Sequence, residues 1–134
     1  MSINKIRVNW SNPLPFVLDN AASVPEKGGV YEILEPIKEG EKSYLHRRYV
    51  GQTDNLRKRF QDHLNEAEPN KCIKKLAANK ITKFDYALLE KQDDRMDTER
   101  ALYDKYKSQL SCNDTSPAGS GRRLLADIEE INPQ

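Results

Sequence analysis

The sequence predicts an α+β fold: a small antiparallel β-sheet of about three strands flanked by α-helices. Three observations carry this. Two strand-like runs, 30–35 and 44–50, are joined by a short charged stretch containing Gly40, the pattern of a hairpin. A third run, 81–90, alternates Phe84, Tyr86 and Leu88 with polar residues. Between and after the strands lie segments with apolar residues at helical spacing. A hairpin forces antiparallel pairing, and helices interleaved with such a sheet are left to cover its faces.

Residues 1–27 read as an N-terminal appendage to a main domain over 28–134. Ile6, Val8 and Trp10 alternate with polar residues, a short strand signal. Pro13 and Pro15 follow, with a short helix candidate over 16–22. Gly28 and Gly29 then punctuate the chain, and strand 30–35 begins. The stretch 36–42 reads as a loop, 44–50 as the return strand, and Gly51 as its end. Thr53 or Asp54 caps a helix through 55–64, in which Leu56, Phe60 and Leu64 form a stripe at i, i+4 and i+8. Pro69-Asn70 opens a second helix over 71–80, with Cys72, Ile73, Leu76 and Ala77 inward and Lys71, Lys74 and Lys75 in water. After strand 81–90, Asp93 or Asp94 caps a long helix reaching Leu110, with Met96, Tyr103, Tyr106 and Leu110 as its buried face. Residues 113–121 form a loop, and 122–131 a final short helix.

Composition narrows the class. A chain of 134 residues and 15.4 kDa is one domain with room for a real core. Apolar residues at 37% and charged residues at 32% describe a polar but foldable chain. No run approaches the roughly 18 apolar residues of a membrane span. The first ten residues contain no apolar core of a secretory signal. Cys72 and Cys112 are too few for a disulfide scaffold and suit a reducing, cytoplasmic setting. With only His46 and His63 beside them, no zinc cluster is expected. The net charge of +1 hides an uneven distribution. Residues 43–83 carry ten Lys/Arg against four Asp/Glu, and 84–106 carry four against seven. A basic middle in a neutral chain suits a localised surface facing an anion, although an uneven solvated surface looks the same.

Two positions break the helical patterns. Arg59 and His63 are four apart, one above the other, on the flank of the Leu56/Phe60/Leu64 stripe. Either is ordinary on a helix surface; together they border the buried face. Glu99 falls three after Met96 and four before Tyr103, inside the expected apolar stripe of the last long helix. A carboxylate aimed at a core is costly unless it is paired or holds a cation. Glu99 therefore pairs with a base such as Arg59 or binds a metal, unless a frayed first turn leaves it in water, since Glu is common in helices.

Read together, the strand ends supply a signature. Gly29-Val30-Tyr31 on the first main strand and Tyr49-Val50-Gly51 on the second resemble the GIY-YIG nuclease family. Arg59 stands ten residues after Tyr49, His63 four later, Glu99 on a later helix and Asn113 fourteen beyond it, as the family pattern has them. The resemblance runs from Gly28 to Asn113. Two departures are visible. The seventeen residues from Glu32 to Arg48 exceed the family's usual ten or so, implying an extended hairpin. Gln52 stands where the excision-repair members often carry lysine.

The resemblance implies a metal-dependent DNA endonuclease. Glu99 would be the single metal ligand, for Mg2+ or Mn2+, with Tyr31, Tyr49, Arg59, His63 and Asn113 as the other site residues. Phosphodiester hydrolysis needs a deprotonated water, a neutralised phosphorane and a stabilised leaving oxygen. Arg59 suits a non-bridging oxygen because its planar fork matches phosphate. Tyr31 is the first choice of general base and Tyr49 the second; His63 is a candidate final proton acceptor. Asn113 is expected to fix a loop or the Glu99 helix by hydrogen bonds. Arg47, Arg48, Arg57, Lys58, Lys71, Lys74 and Lys75 are candidate phosphate contacts that position DNA, or RNA, without reading its sequence. No membrane partner is expected, and the oligomeric state stays open. The competing reading is a catalytically weak nucleic-acid-binding module of the same fold. A cysteine hydrolase pairing Cys72 or Cys112 with His63 fits poorly, since Cys72 falls on the inward face of its helix.

Overall fold

The computed structural model describes residues 2–122 and 124–133. Its centre is an antiparallel sheet of four strands, one more than expected, in the order β2-β5-β3-β4. The strands are β2 (Leu14–Pro15), β3 (Gly29–Glu39), β4 (Lys42–Thr53) and β5 (Lys83–Leu88). The added strand is the two-residue β2, which pairs with Phe84 and Lys83 of β5.

The hairpin is longer than the sequence suggested. Residues 36–39 and Lys42, expected in a loop, continue the β3–β4 ladder to the pair Glu39↔Lys42. Gly40 turns the chain with φ at +65°, a left-handed conformation that glycine adopts freely. Pro36 is tolerated because β5 pairs with β3 only as far as Leu34, so the ribbon beyond is open on one side. Arg48 is the extra residue of a bulge, since Ile33 opposes Tyr49 and Leu34 opposes Arg47.

Alternation divides the sheet into two faces. Tyr31, Ile33 and Phe84 pack against Phe16, Leu56, Phe60, Ile73 and Leu76. This layer contains α1 (Leu56–His63), α2 (Lys71–Ala77) and a 3-10 helix over Leu18–Ser23. Val30, Val50 and Ala87 face the other way, against Leu102 and Leu110 and against Ile6, Val8 and Trp10. That layer contains α3 (Gln92–Tyr106) and β1 (Ser2–Asn9).

Several local expectations are corrected. The final segment is not a helix: β6 (Leu124–Ile131) pairs in parallel with β1, Ile6 opposite Ile128, in a separate two-stranded sheet. Arg123 of that expected helix lies outside the described residues. Asn55, not Thr53 or Asp54, caps α1 by accepting from the Lys58 N–H. Lys91 precedes α3 without a side-chain cap, and Asp93 and Asp94 lie in its first turn, where they favour the helix dipole. The buried stripe of α3 is Arg95, Thr98 and Leu102 rather than Met96, Tyr103 and Tyr106. The stripe is rotated by one residue because two polar side chains occupy buried positions. Leu110 is buried as expected, although α3 has ended before it. Lastly, Cys72 and Cys112 are not separate thiols: a disulfide joins α2 to the loop after α3.

Candidate active site

The site lies along β4, the edge of the main sheet. An edge strand presents unpaired N–H and C=O groups at alternate residues, and these must find partners. Here they hold the loop after α3 and α3 itself. The Cys112 N–H donates to the Arg48 carbonyl at 2.9 Å. The Asn113 amide accepts from the Val50 N–H and donates to the Val50 carbonyl, both at 3.0 Å. The next outward group, the Gln52 N–H, faces the Glu99 carboxylate. Thus Asn113 spends its amide fastening a loop, and Glu99 stands beside it on the same edge.

Tyr31 and Tyr49 project from the α1 face of neighbouring strands, with ring centroids 6.0 Å apart. Tyr31 is 0% exposed. Its hydroxyl lies 2.7 Å from His63 Nε2, and the Arg59 and Tyr49 side chains approach it. Arg59 and His63 reach it from α1, as their four-residue spacing requires. Gly51 opposes Tyr31 across the strand pair, and the tyrosine ring lies over its bare Cα.

The electrostatics follow from burial. Desolvation pushes the Tyr31 phenol well above its ordinary value, the Tyr49 phenol adds to this, and Arg59 pulls the other way. Tyr49 is raised mainly by burial too. Burial lowers the His63 imidazole, opposed by Glu68, so His63 is neutral near pH 7. Burial raises Glu99 to about 7, with the Gln52 N–H and Arg59 pulling it back. Arg59 faces Tyr31, Tyr49 and Glu99 at once.

A hollow of about 300 Å³ opens here, lined by Tyr49, Asn70, Glu99, Asn113 and Asp114 among others. A larger groove of about 680 Å³, lined by Lys27, Gly28, Asp54, Leu88, Glu90 and Arg95, contains none of the motif side chains. The smaller hollow is the one that Tyr49, Glu99 and Asn113 line. Glu99 is therefore partly buried at the rim of the α3 stripe, rather than in its middle as the pattern suggested. Among the described residues no cluster of three or more His, Cys, Asp or Glu is placed to chelate a cation. A half-buried carboxylate beside an open hollow fits an ion held by one side chain, with water and substrate oxygens completing its shell.

The candidate phosphate contacts divide. Lys58, Lys71, Lys74 and Lys75 are exposed, with Lys58 paired to Asp62 at 3.1 Å and Lys74 bonded to the Glu66 carbonyl at 2.9 Å. Arg48 pairs with Glu35, and Arg57 with Glu26, each at 2.9 Å. Arg47 points to the opposite face, 3.0 Å from buried Glu32 and stacked 4.0 Å over the Tyr106 ring. Asn70 and Glu68 were not foreseen. Asn70 caps α2 and donates to the Cys112 carbonyl. Glu68 approaches His63 from the turn after α1.

The comparisons agree with this geometry. The family model of the GIY-YIG catalytic domain matches residues 27–111. The chain belongs to the GIY-YIG family. Among solved structures it is similar to the GIY-YIG N-terminal endonuclease domain of UvrC from Thermotoga maritima. A tyrosine-to-phenylalanine variant of that domain, bound to its catalytic divalent cation, is 18% identical with a TM-score of 0.53. The match covers 72% of this chain and 93% of that one. The magnesium-bound domain matches at 18% identity and a TM-score of 0.52, covering 71% of this chain and 92% of that one. No curated protein matches. The shared fold includes the expected helix-flanked antiparallel sheet.

Proposed function

We propose that this GIY-YIG domain is a divalent-metal-dependent endonuclease that hydrolyses DNA phosphodiester bonds. The observation that carries the reading is the convergence of Tyr31, Tyr49, Arg59 and His63 on one hydroxyl, beside the half-buried Glu99. Glu99 would hold the cation, Mg2+ or Mn2+. When bound, it would supply charge for the scissile phosphate and the leaving 3′-oxygen. Everything else falls to the chain. Arg59, whose planar fork suits a phosphate oxygen, stands beside Tyr49 and Glu99 and would neutralise charge as the phosphorane forms. Tyr49 lines the hollow and Tyr31 stands behind it, so the attacking water gives its proton to the tyrosine pair. A phenol raised by burial is a poor proton acceptor while it keeps its own proton. Tyr31 resolves this by passing its proton to neutral His63, whose Nε2 is already at 2.7 Å. Asn113 keeps the loop in register with β4. The exposed Lys58, Lys71, Lys74 and Lys75 would track the backbone of the nucleic acid.

Incubating the purified protein with plasmid, single-stranded, flap and mismatched DNA, and with RNA, in Mg2+ or EDTA tests the reading. Mg2+-dependent cleavage that Tyr31→Phe abolishes supports it. Binding without cleavage of any substrate would replace it with the binding-module reading.

A further inference from the structure

The hydroxyl–imidazole contact continues into a third side chain. His63 Nε2 lies 2.7 Å from the Tyr31 hydroxyl, and His63 Nδ1 lies 3.3 Å from Glu68 Oε2. The His63 and Glu68 side chains are each 7% exposed. No described residue makes a well-aligned hydrogen bond to Nδ1, and Glu68 Oε2 is the carboxylate oxygen placed against it. The turn after α1 brings Glu68 back to its own helix. The Glu68 N–H donates to the Asn65 carbonyl at 3.0 Å, and the Ala67 N–H donates to the Asn65 side chain at 2.9 Å. Lys74 of α2 donates to the Glu66 carbonyl at 2.9 Å and fixes the turn from below. Pro69 follows at once, limiting the backbone of Glu68 itself.

A neutral imidazole carries one N–H, and its neighbours choose which nitrogen bears it. A carboxylate accepts only. Against Nδ1 it selects the Nδ1–H tautomer, which leaves the Nε2 lone pair toward the Tyr31 O–H. The opposite tautomer would set two lone pairs against each other at Nδ1 and turn the Tyr31 hydroxyl from donor to acceptor at Nε2. The groups facing His63 are Tyr31 and Tyr49 from the sheet, Arg59 and Asp62 from α1, and Glu68 from the turn. Of these only Glu68 addresses Nδ1.

We infer that Glu68 is a positioning residue for the proton relay, fixing His63 in the Nδ1–H form so that Nε2 takes the proton of Tyr31. The step balances. The Tyr31 O–H bond breaks and an Nε2–H bond forms; tyrosine becomes phenolate and histidine becomes imidazolium. The original Nδ1 proton stays between His63 and the Glu68 carboxylate, which offsets the new positive charge. The phenolate then takes up the proton of the attacking water by way of Tyr49, which lines the hollow. The catalytic part rests on the nuclease reading above; the tautomer assignment does not.

Nitrogen-15 NMR of His63, run beside DNA cleavage, separates the two. The wild type should show the Nδ1–H tautomer. Glu68→Ala should lose that preference and lose roughly ten- to hundredfold in kcat, with DNA affinity kept. Glu68→Gln keeps an acceptor without the charge. It should retain the tautomer, lower the His63 titration midpoint and recover part of kcat; if Glu68→Ala does not fold, this variant alone decides. A wild-type Nε2–H tautomer overturns the inference. So does a Glu68→Ala protein with unaltered spectrum or full kcat, or a Glu68→Gln protein with unaltered midpoint and kcat. Should the wild type cleave nothing, the nuclease reading falls, and the spectra still decide what Glu68 does to His63.

Discussion

Gly51 and Tyr31 fit together with no space between them: a Cβ added to Gly51 would lie 2.5 Å from both the Cζ and the hydroxyl oxygen of Tyr31. The two signature tripeptides are thus one packing unit. The glycine of the second makes room for the tyrosine of the first, which can then reach His63. Gly51→Ala is expected to destabilise the fold by about 1–3 kcal/mol through overpacking. It should also displace the Tyr31 hydroxyl and cut cleavage more than the stability loss explains. Urea unfolding and cleavage kinetics on one preparation check this; a variant normal in both would show that the ring has another resting place.

The sequence made that unit legible because a strand pair ties motif order to geometry. Tyr31, Tyr49, Arg59 and His63 lie on adjacent strands and one helix face, so spacing alone nearly fixes their meeting. Glu99 stood out for a partly mistaken reason. The apolar pattern of α3 points one residue away from its true buried line, because Arg95 and Thr98 take buried places that hydrophobic periodicity cannot mark. The contacts that escaped are non-local. β6 pairs with β1 in a register that joins Ser2 to Leu124, and nothing in a run containing Asp127, Glu129 and Glu130 announces a parallel strand. Glu68 escaped because α1 ends at His63; helical spacing does not carry across the turn that folds it back.

The buried face beyond β3 makes a pH prediction. Glu32 and Asp85 oppose each other across β3 and β5, and Asp85 Oδ1 has no partner among the described residues. Burial pushes Glu32 up to about 7, with Arg47 pulling it back. Asp85 is raised by burial first and then by the charge of Glu32. In the unfolded chain Glu32 loses its proton near 4.5; in the folded chain it keeps it to about 7. The folded state binds more protons in that window, so stability falls as pH rises through it, by roughly a few kcal/mol. Asp85→Asn should flatten the dependence. Denaturant midpoints from pH 5 to 8 decide; stability rising with pH would refute the assignment.

The disulfide makes a redox prediction. Cys72 and Cys112 enclose a separation of 40 residues, for which the chain-entropy model gives roughly 4 kcal/mol of stabilisation. Reduction should lower the melting temperature and loosen residues 111–113 first, because Cys112 leads directly into Asn113. Hydrogen exchange of the Val50 amide, which Asn113 holds, should accelerate on adding dithiothreitol. Equal melting temperatures and unchanged exchange in both states would show that Asn70 and Asn113 hold the loop unaided.

The exposed lysines of α2 make a salt prediction. If Lys71, Lys74 and Lys75 touch phosphates, replacing all three with alanine should weaken binding evenly across DNA sequences. The slope of log K against log salt should flatten by up to about three units. An unchanged slope would leave them as a solvated helix face.

Glu99→Gln bears most directly on the metal. The amide keeps a carbonyl oxygen facing the Gln52 N–H, so the β4 edge keeps its polar neighbour. The exchange removes a carboxylate that burial makes costly to ionise, so folding should be unharmed or slightly favoured. What it removes is the carboxylate proposed to hold a divalent cation beside Tyr49 and Arg59. Cleavage should drop by at least roughly a hundredfold, the scale of one lost electrostatic group at a developing charge. Calorimetric Mg2+ binding to the DNA-free protein should weaken in parallel. The pairing of readouts matters because the folded state is expected to survive: lost cleavage with intact Mg2+ binding would move the cation to other ligands, while full cleavage in the variant would remove Glu99 from the mechanism.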